Sequence, residues 1–400
     1  MEKTMSFDFD RVVDRTAGNA EKYALRQKLF GTEDVQPMWV ADMDIETPPC
    51  IVEAVQKRAA HPIYGYEEVP QSAFDAQIAW MQKRHGLSIK REWMFYSHSV
   101  VTTINTAIHA FTKPGEKVVI QTPIYPPFMH TVTQNGRHIL RNPLKRSESG
   151  DYTFDFDDLR SKIDADTRLL LLCSPHNPVG RVWSREELQE LADICLEHNI
   201  KVVADEIHSD LVYAPHKHIP FSSLSEAAAN ITVTAIGPGK TFNVAGLAIS
   251  TAVVQNEAMR EHFSAAYERI HFAQGNVFAH AGFEAAYSQG EAWLEALLLH
   301  LKRNSSKLEA VCRRHSDKIR FVPPQGTYLA WLDCSGMGLS NRELRRFFIE
   351  QAALGLSPGT SFGKEGSGYM RLNFAVPSPV MDDAIAQLDL ALSNYGEYGF

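Results

Sequence analysis

Short, unbroken apolar runs that alternate with helical patterns are the feature that most constrains the fold of this chain. Residues 117–121, 169–173 and 201–204 are such runs, and each ends in a polar segment. A strand that is buried on both faces needs apolar residues at successive positions, and parallel sheets covered by helices contain such strands. The pattern therefore predicts an α/β fold around a largely parallel sheet.

The pattern changes after about residue 290. Amphipathic helical patterns at 291–315, 341–354 and 379–395 alternate with strand patterns around 326–333 and 369–374. This mixture predicts a second, α+β part of the chain.

The N-terminal region is predicted to be an arm followed by a short helix. Residues 1–35 are polar and irregular, and residues 50–60 fit a helix. Between them, Asp42 and Asp44 follow an apolar run. They are either a metal or acid/base pair or, as we favour, loop carboxylates that cap neighbouring backbone.

Composition argues against several classes of function. The chain has 400 residues, of which 44% are hydrophobic and 22% charged, and a net charge of −8, so neither nucleic acid nor an anionic membrane is an expected partner. No apolar run is long enough to span a bilayer, and the first ten residues lack a signal-peptide pattern, so we expect a cytoplasmic protein. Five cysteines are scattered along the chain, most of them in apolar contexts, which predicts buried, inert thiols. The histidines lack metal-ligand spacing, with His216 and His218 assigned to a polar loop, and a metal-free enzyme is expected.

Polar side chains follow four of the predicted strands at the point where each strand ends. They are Tyr125, Asn177, Asp205 and Lys240. Ligands of parallel α/β sheets bind beyond the carboxyl ends of the strands. We therefore expect these four side chains to converge on one site.

Lys240 follows an apolar strand pattern at 231–236 and the breaker sequence Gly237-Pro238-Gly239. The lysine is either a solvated turn residue or an amine kept neutral by burial, ready to form a Schiff base. Gly239-Lys240-Thr241 also looks like the end of a nucleotide-binding P-loop. That motif needs a glycine six residues before the lysine, where this chain has Thr234, and a helix after it, so an NTPase is disfavoured.

Two positions are predicted to meet anions. A helix is expected to begin near Ser99, and its first amides, including those of Val100 and Val101, would favour a phosphate. Arg371 lies in an apolar strand pattern and needs an anionic partner, either internal or a ligand. Tyr64 and Tyr66 flank a glycine in a loop, where they either pack or present phenol groups to a ligand or a neighbouring subunit.

The ordered set of Tyr125, Asn177, Asp205, Lys240 and Arg371 resembles the core of the fold-type I aminotransferase superfamily of pyridoxal 5'-phosphate (PLP) enzymes. Four stretches resemble its MalY/PatB branch of cystathionine β-lyases and carbon–sulfur β-lyases, namely Trp39-Val40-Ala41-Asp42-Met43-Asp44, Ser174-Pro175-His176-Asn177-Pro178-Val179-Gly180, Asp205-Glu206-Ile207-His208-Ser209-Asp210 and Lys240-Thr241-Phe242-Asn243. The resemblance implies a mostly parallel seven-stranded sheet in a large PLP-binding domain, residues 50–288. A smaller domain would comprise residues 1–49 and 289–400.

The resemblance also implies roles for individual residues. Lys240 would form the Schiff base with PLP and move protons, and Asp205 would keep the ring nitrogen protonated. Tyr125 would cover the ring, Asn177 and His208 would approach its oxygen, and Ser99, Val100 and Val101 would hold the phosphate. Tyr66 would reach that phosphate from the partner subunit of a homodimer. Arg371 would bind the carboxylate of a small amino-acid substrate together with Asn177, with the Ala41 region closing over it.

The reaction implied is cleavage of a cysteine thioether to a thiol, pyruvate and ammonia. An aminotransferase shares the first half of that reaction and remains an alternative, as does a PLP-binding regulatory protein.

The chain departs from the superfamily pattern in the residues that precede the lysine. The superfamily usually has small hydroxyl residues among those three positions, where this chain has Gly237, Pro238 and Gly239. The frequent arginine eight residues after the lysine is replaced by Ala248, as is usual in the branch. We therefore expect weaker cofactor retention, or a phosphate held by backbone amides and Tyr66, with His98 as a further candidate.

Overall fold

The computed structural model describes residues 7–270 and 275–396, and its largest element is a seven-stranded sheet. The strands are β1 (Met94–Ser97), β2 (Lys117–Ile120), β3 (His138–Arg141), β4 (Thr167–Cys173), β5 (Lys201–Asp205), β6 (Thr232–Ile236) and β7 (Ser250–Val254). Their spatial order is β1-β7-β6-β5-β4-β2-β3. Neighbouring strands are parallel except at β7, which is antiparallel to both β1 and β6. The mostly parallel seven-stranded sheet that the sequence predicted is confirmed.

Apolar clusters cover both faces of this sheet. Along β4, Leu170 and Leu172 pack into one cluster, while Leu169 and Leu171 pack into the other. All four side chains are fully buried. Alternate residues of a strand point to opposite faces, so an unbroken apolar run is what a doubly covered strand requires.

The longer helices are numbered in chain order. They are α1 (Pro49–Ala59), α2 (Gln71–His85), α3 (Val100–Phe111), α4 (Pro126–Gln134), α5 (Phe156–Lys162), α6 (Arg185–Glu197), α7 (Glu257–Ile270), α8 (Val277–Gln289), α9 (Glu291–Arg314), α10 (Asn341–Arg346) and α11 (Ser378–Ser393). The short α-helices of the described residues are Glu21–Ala24, Arg26–Phe30, Glu226–Ala229 and Pro238–Thr241. Helix α6 begins with a capping box, in which the Ser184 hydroxyl accepts from the Glu187 amide and the Glu187 carboxylate accepts from the Ser184 amide.

The C-terminal part contains a four-stranded antiparallel sheet. Its strands are β8 (Arg320–Phe321), β9 (Leu329–Asp333), β10 (Ser357–Pro358) and β11 (Tyr369–Asn373), in the order β8-β9-β11-β10. The N-terminal arm joins this part through Gln36–Pro37, which pairs with Leu354–Gly355. The division into a domain of residues 50–288 and one of residues 1–49 and 289–400 remains a prediction.

Asp42 and Asp44 belong to a partly buried ion cluster, so the interpretation of these carboxylates as backbone caps is wrong. Lys22 Nζ lies 2.9 Å from Asp42 Oδ1 and 3.1 Å from Asp44 Oδ2, and the lysine side chain is fully buried. Arg15 contacts the same two carboxylates at 2.6 and 2.5 Å. Charges withdrawn from water need partners of opposite sign, and here each carboxylate meets two cations. The arm is thereby fixed to the loop that contains Asp42.

His218 corrects a second expectation, because it is buried while His216 is exposed in the same loop. Nε2 of His218 lies 3.0 Å from the Glu206 carboxylate, which is also fully buried.

The expected inert thiols are confirmed for the described chain. Four cysteines are buried and Cys50 is half-buried, and burial raises the pKa of each thiol. None of the helices in the described ranges has the length and apolar character needed to cross a bilayer.

Replacing Lys22 tests the ion cluster. Lys22→Met removes one cation from a buried network and leaves both carboxylates under-compensated, so the free energy of unfolding should fall by about 3 kcal/mol. Urea unfolding at one fixed protein concentration measures this change. Lys28→Met, on an exposed lysine of the same arm, is the matched control and should change stability by less than about 0.5 kcal/mol. Equal stability of the two variants would show that the cluster does not fasten the arm.

Candidate active site

A cavity at the carboxyl edge of the large sheet collects most of the side chains that the sequence singled out. Those that line it are Ala41, Ser99, Val100, Val101, Tyr125, Asn177, Asp205, His208 and Lys240. Tyr125, Asn177 and Lys240 lie just beyond strands, and Asp205 ends its own strand. Four strand ends from separate parts of the chain therefore meet at one cavity.

Arg371 and Tyr66 lie elsewhere. Arg371 lines an adjoining cavity of about 550 Å³, which shares Ala41, Tyr125 and Lys240 with the first. Tyr66 is 95% exposed and lines neither cavity within this chain.

Lys240 sits on the one-turn helix Pro238–Thr241 that follows β6, and Nζ donates a hydrogen bond of 2.5 Å to the Ala41 carbonyl oxygen. Burial lowers the pKa of the amine to about 8, and the positive charge of Arg371 adds to this effect while Asp42 opposes it. The amine is a stronger nucleophile at neutral pH than an exposed lysine because more of it is unprotonated. The solvated-turn alternative therefore does not describe this lysine.

Asp205 is 6% exposed, and burial raises the pKa of its carboxyl to about 7. Oδ1 accepts a hydrogen bond of 3.1 Å from the Ile207 amide, and no salt bridge joins the carboxylate to a cation of the described residues. A cationic N–H brought to this carboxylate would favour its ionised form. The carboxyl therefore fits the ring nitrogen of PLP.

Arg371 is buried without a carboxylate partner in the described ranges. Nη1 donates to Asn177 Oδ1 at 3.0 Å, Nη2 donates to the Trp39 carbonyl at 2.7 Å, and Nε is buried without a hydrogen-bond partner. Burial lowers the pKa of the guanidinium to about 10, and the group lies 4.7 Å from the centre of the Phe362 ring. The internal anion that the sequence left open is not supplied, so the site fits a ligand carboxylate.

His208 completes the ring-binding side of the cavity. It is buried, its Nδ1 has no partner among the described residues, and burial with the charges of Lys240 and Arg371 lowers its pKa to about 3. The imidazole is therefore neutral at physiological pH and offers one donor and one acceptor.

Ser99 caps α3 as the sequence predicted, with its Oγ accepting a hydrogen bond of 3.1 Å from the Thr102 amide. Val100 and Val101, the first two residues of the helix, line the cavity with Ser99, and amides at a helix start have no partner within the helix, so this end of the cavity is a suitable place for a phosphate.

Two asparagines that sequence reasoning missed fix the loop over the lysine. Asn243 accepts from the Met43 amide at 2.9 Å and donates to the Met43 and Ile45 carbonyls. Asn373 donates to the Val40 carbonyl at 2.7 Å and to that of Asp42 at 2.6 Å. Each follows a key cation by two or three residues, and that spacing was the available signal.

Asp210 was also missed, although it stands within a quoted motif. Its buried carboxylate accepts from Trp80 Nε1 at 3.0 Å and Thr241 Oγ1 at 2.9 Å, and it contacts His85 Nε2 at 2.8 Å. Arg84 approaches at 3.2 Å. Since Thr241 is the residue after the lysine, this carboxylate ties the lysine turn to α2.

The lowered pKa of Lys240 is testable in protein freed of PLP. Limiting acetic anhydride should acetylate Lys240 with a midpoint near pH 8, because the neutral amine is the reactive form and burial disfavours the charged one. Peptide mass spectrometry over pH 6 to 11 measures the modification at each lysine. Exposed Lys28 serves as the internal control, with a midpoint near its ordinary value of about 10.4. Matching midpoints would contradict the desolvation of the amine.

Comparison with known proteins agrees with this geometry. The family described as aminotransferase class I and II matches residues 38–388. Cystathionine beta-lyase PatB of Bacillus subtilis (strain 168) is 43% identical over 387 residues, which cover 96% of this chain and 100% of PatB. Protein MalY of Escherichia coli (strain K12) is 33% identical, covering 96% of this chain and 98% of MalY.

Solved structures give the same result. Cystalysin of Treponema denticola, which contains PLP, superposes with a TM-score of 0.94 at 31% identity, covering 98% of this chain and 100% of cystalysin. The PLP-bound C–S lyase of Staphylococcus hominis has a TM-score of 0.89 at 32% identity, covering 97% and 98%. The chain therefore belongs to the aminotransferase class I and II family of PLP-dependent enzymes, among the C–S β-lyases.

Proposed function

We propose that this protein cleaves the Cβ–S bond of a cysteine thioether such as cystathionine and yields a thiol, pyruvate and ammonia. The observation that carries the proposal is that a lysine amine of lowered pKa, a buried carboxyl and a buried arginine without a carboxylate partner surround two joined cavities. The similarity to PatB, a relative of 43% identity that is named a cystathionine beta-lyase, supports the same chemistry.

The residues in the first cavity suit PLP in this proposal. Lys240 would hold it covalently, Asp205 would pair with its ring nitrogen, and Tyr125 would cover the ring. Asn177 and His208 would bind the ring oxygen, and Ser99, Val100 and Val101 would bind the phosphate. When bound, PLP withdraws electrons from the substrate α-carbon and so permits loss of its proton and of a β-substituent.

The protein groups then have defined tasks. Arg371 binds the substrate α-carboxylate in two hydrogen bonds and thereby orients the Cα–H bond. Lys240, once released, removes the α-proton, for which an amine of pKa about 8 is suited near neutral pH. The Ala41 carbonyl, which holds the Lys240 amine at 2.5 Å, gives the base a fixed approach.

The adjoining cavity suits the departing thiol. Its walls are apolar over much of their surface, contributed by Phe30, Trp39, Pro126, Pro127 and Phe362. Because it meets the first cavity at Ala41, Tyr125 and Lys240 and contains Arg371, a substituent on the β-carbon has room there while the carboxylate stays bound.

Cystathionine turnover tests the proposed reaction. With purified holoenzyme we expect pyruvate, ammonia and free thiol in equal amounts without any added keto acid, because elimination needs no amino acceptor. Lys240→Ala, the matched control, should lower kcat by at least about a hundredfold through loss of the base. Keto acid formed only when an amino acceptor is present would establish an aminotransferase instead. No product and no change of the visible spectrum would indicate a PLP-binding regulatory protein.

PLP enzymes of this fold generally act as dimers on amino-acid substrates. We propose that Tyr66 completes the phosphate site of the partner subunit. Its side chain is 95% exposed in this chain, and the nearby Ile63 and Tyr64 are 67% and 57% exposed. A cluster of exposed apolar side chains on one segment is typical of an interface.

Subunit mixing tests the role of Tyr66. Tyr66→Ala and Lys240→Ala are each expected to form dimers of low activity. After denaturation and refolding of an equal mixture, about a quarter of the wild-type activity should return, because half of the dimers are mixed and each has one intact site. Tyr64→Ala mixed with Lys240→Ala is the control. If mixing Tyr66→Ala with Lys240→Ala restores nothing beyond the sum of the variants, Tyr66 does not serve the partner's site.

A further inference from the structure

Gly237 is a glycine because the neighbouring strand comes too close for any side chain. A Cβ atom built on Gly237 would lie 2.9 Å from Ser250 Cβ, 3.0 Å from Ser250 Cα and 3.2 Å from the Ile249 carbonyl oxygen. Its φ of 176° is ordinary extended backbone, so conformation does not require glycine here. Gly239 differs, since a Cβ there would meet Ala245 at an ordinary 3.6 Å. Close packing against Ser250 therefore excludes a hydroxyl side chain at position 237.

Ser250 brings a hydroxyl to the place from which Gly237 excludes one. Its Cβ occupies the space that a side chain at 237 would need, and the residue lines the cavity together with Ser99, Val100 and Val101. The residue is 1% exposed, so its hydroxyl needs partners inside the protein or in a ligand.

The position of Ser250 in the sheet sets it beside the first turn of α3. Ser250 pairs with Ser97 across the antiparallel β7–β1 ladder, and its Oγ donates a long hydrogen bond of 3.2 Å to the Ser97 carbonyl. Ser97 is two residues before Ser99, whose side chain caps α3. A hydroxyl rotates freely about its C–O bond and has two acceptor lone pairs besides its donor, so this contact is easily exchanged for a stronger, charge-assisted one.

We propose that Ser250 donates a hydrogen bond to the phosphate of PLP and replaces the hydroxyl residues that precede the lysine in most of the superfamily. The proposal rests on the PLP cofactor and not on the β-lyase reaction, so an enzyme that transaminates leaves it standing. Under this proposal the weak cofactor retention expected from Gly237 and Gly239 applies to a protein without Ser250 and not to the wild type.

The test compares PLP with pyridoxal, which has the same ring and aldehyde but no phosphate. Apoprotein of the wild type and of Ser250→Ala is titrated with each compound, and Kd is measured from the visible absorbance. We expect Ser250→Ala to raise the Kd for PLP by about tenfold or more, as for loss of a hydrogen bond to a charged group, and to leave the Kd for pyridoxal unchanged.

Thr251→Val is the matched control. Thr251 is the next residue of β7, is equally buried at 1% exposed, and donates its hydroxyl to Gln77 Oε1 at 2.8 Å, on the other face of the strand. This variant should leave both Kd values unchanged. An unchanged Kd for PLP in Ser250→Ala would overturn the proposal. An equal rise for PLP and pyridoxal would also overturn it, since Ser250 would then act only by supporting the cavity.

Discussion

Asp205, Lys240 and Arg371 are withdrawn from water around the two joined cavities, and their desolvation shapes the chemistry there. Burial raises the pKa of the Asp205 carboxyl and lowers those of Lys240 and Arg371, so each group is moved towards neutrality. Groups held in this way bind a complementary ligand strongly because the partner restores the charged form without a return to water. The two joined cavities are therefore prepared for a ligand that supplies both a cationic N–H and a carboxylate.

The loop of residues 39–44 places backbone carbonyls against two of these cations. Ala41 accepts from Lys240 and from Tyr328, and Trp39 accepts from Arg371. The loop backbone on either side of these carbonyl oxygens is held in place. Asn243 and Asn373 bond to it, and the ion cluster of the arm fixes it through Asp42. A segment remote in sequence from the lysine is thus part of its immediate environment, and the arm acts on the site through packing and charge.

The strand ends were predictable from the sequence because each depends on local pattern. An apolar run followed by a polar residue indicates a buried strand and its carboxyl end, which is why Tyr125, Asn177, Asp205 and Lys240 were found together. The ion cluster was not predictable, because Lys22 reads as a polar arm residue until its partners twenty residues later fold over it. The prediction for His218 failed for the same reason, since its partner Glu206 lies twelve residues earlier, just after strand β5, and the pairing depends on the fold. The proposed role of Ser250 was not predictable either, because it depends on the distance between two antiparallel strands, which no single-sequence pattern contains.

The two cavities together indicate where selection between elimination and transamination arises. Removal of the α-proton is common to both reactions, so the base and the carboxylate-binding arginine do not discriminate between them. A thioether substrate can expel a thiolate from its β-carbon after the α-proton is removed, so no external amino acceptor is needed. The thiolate and its carbon chain need space beyond that carbon. The cavity of about 550 Å³ beside Arg371 provides such space, with walls that include Trp39 and Phe362. The lining also includes Glu21, His130 and Arg345, so the amino and carboxyl groups of a leaving homocysteine have polar neighbours there beside the apolar surface that contacts its carbon chain. We therefore expect substrate selection to depend on which β-substituent the second cavity admits, because the residues proposed to move the proton would serve any substrate that Arg371 holds.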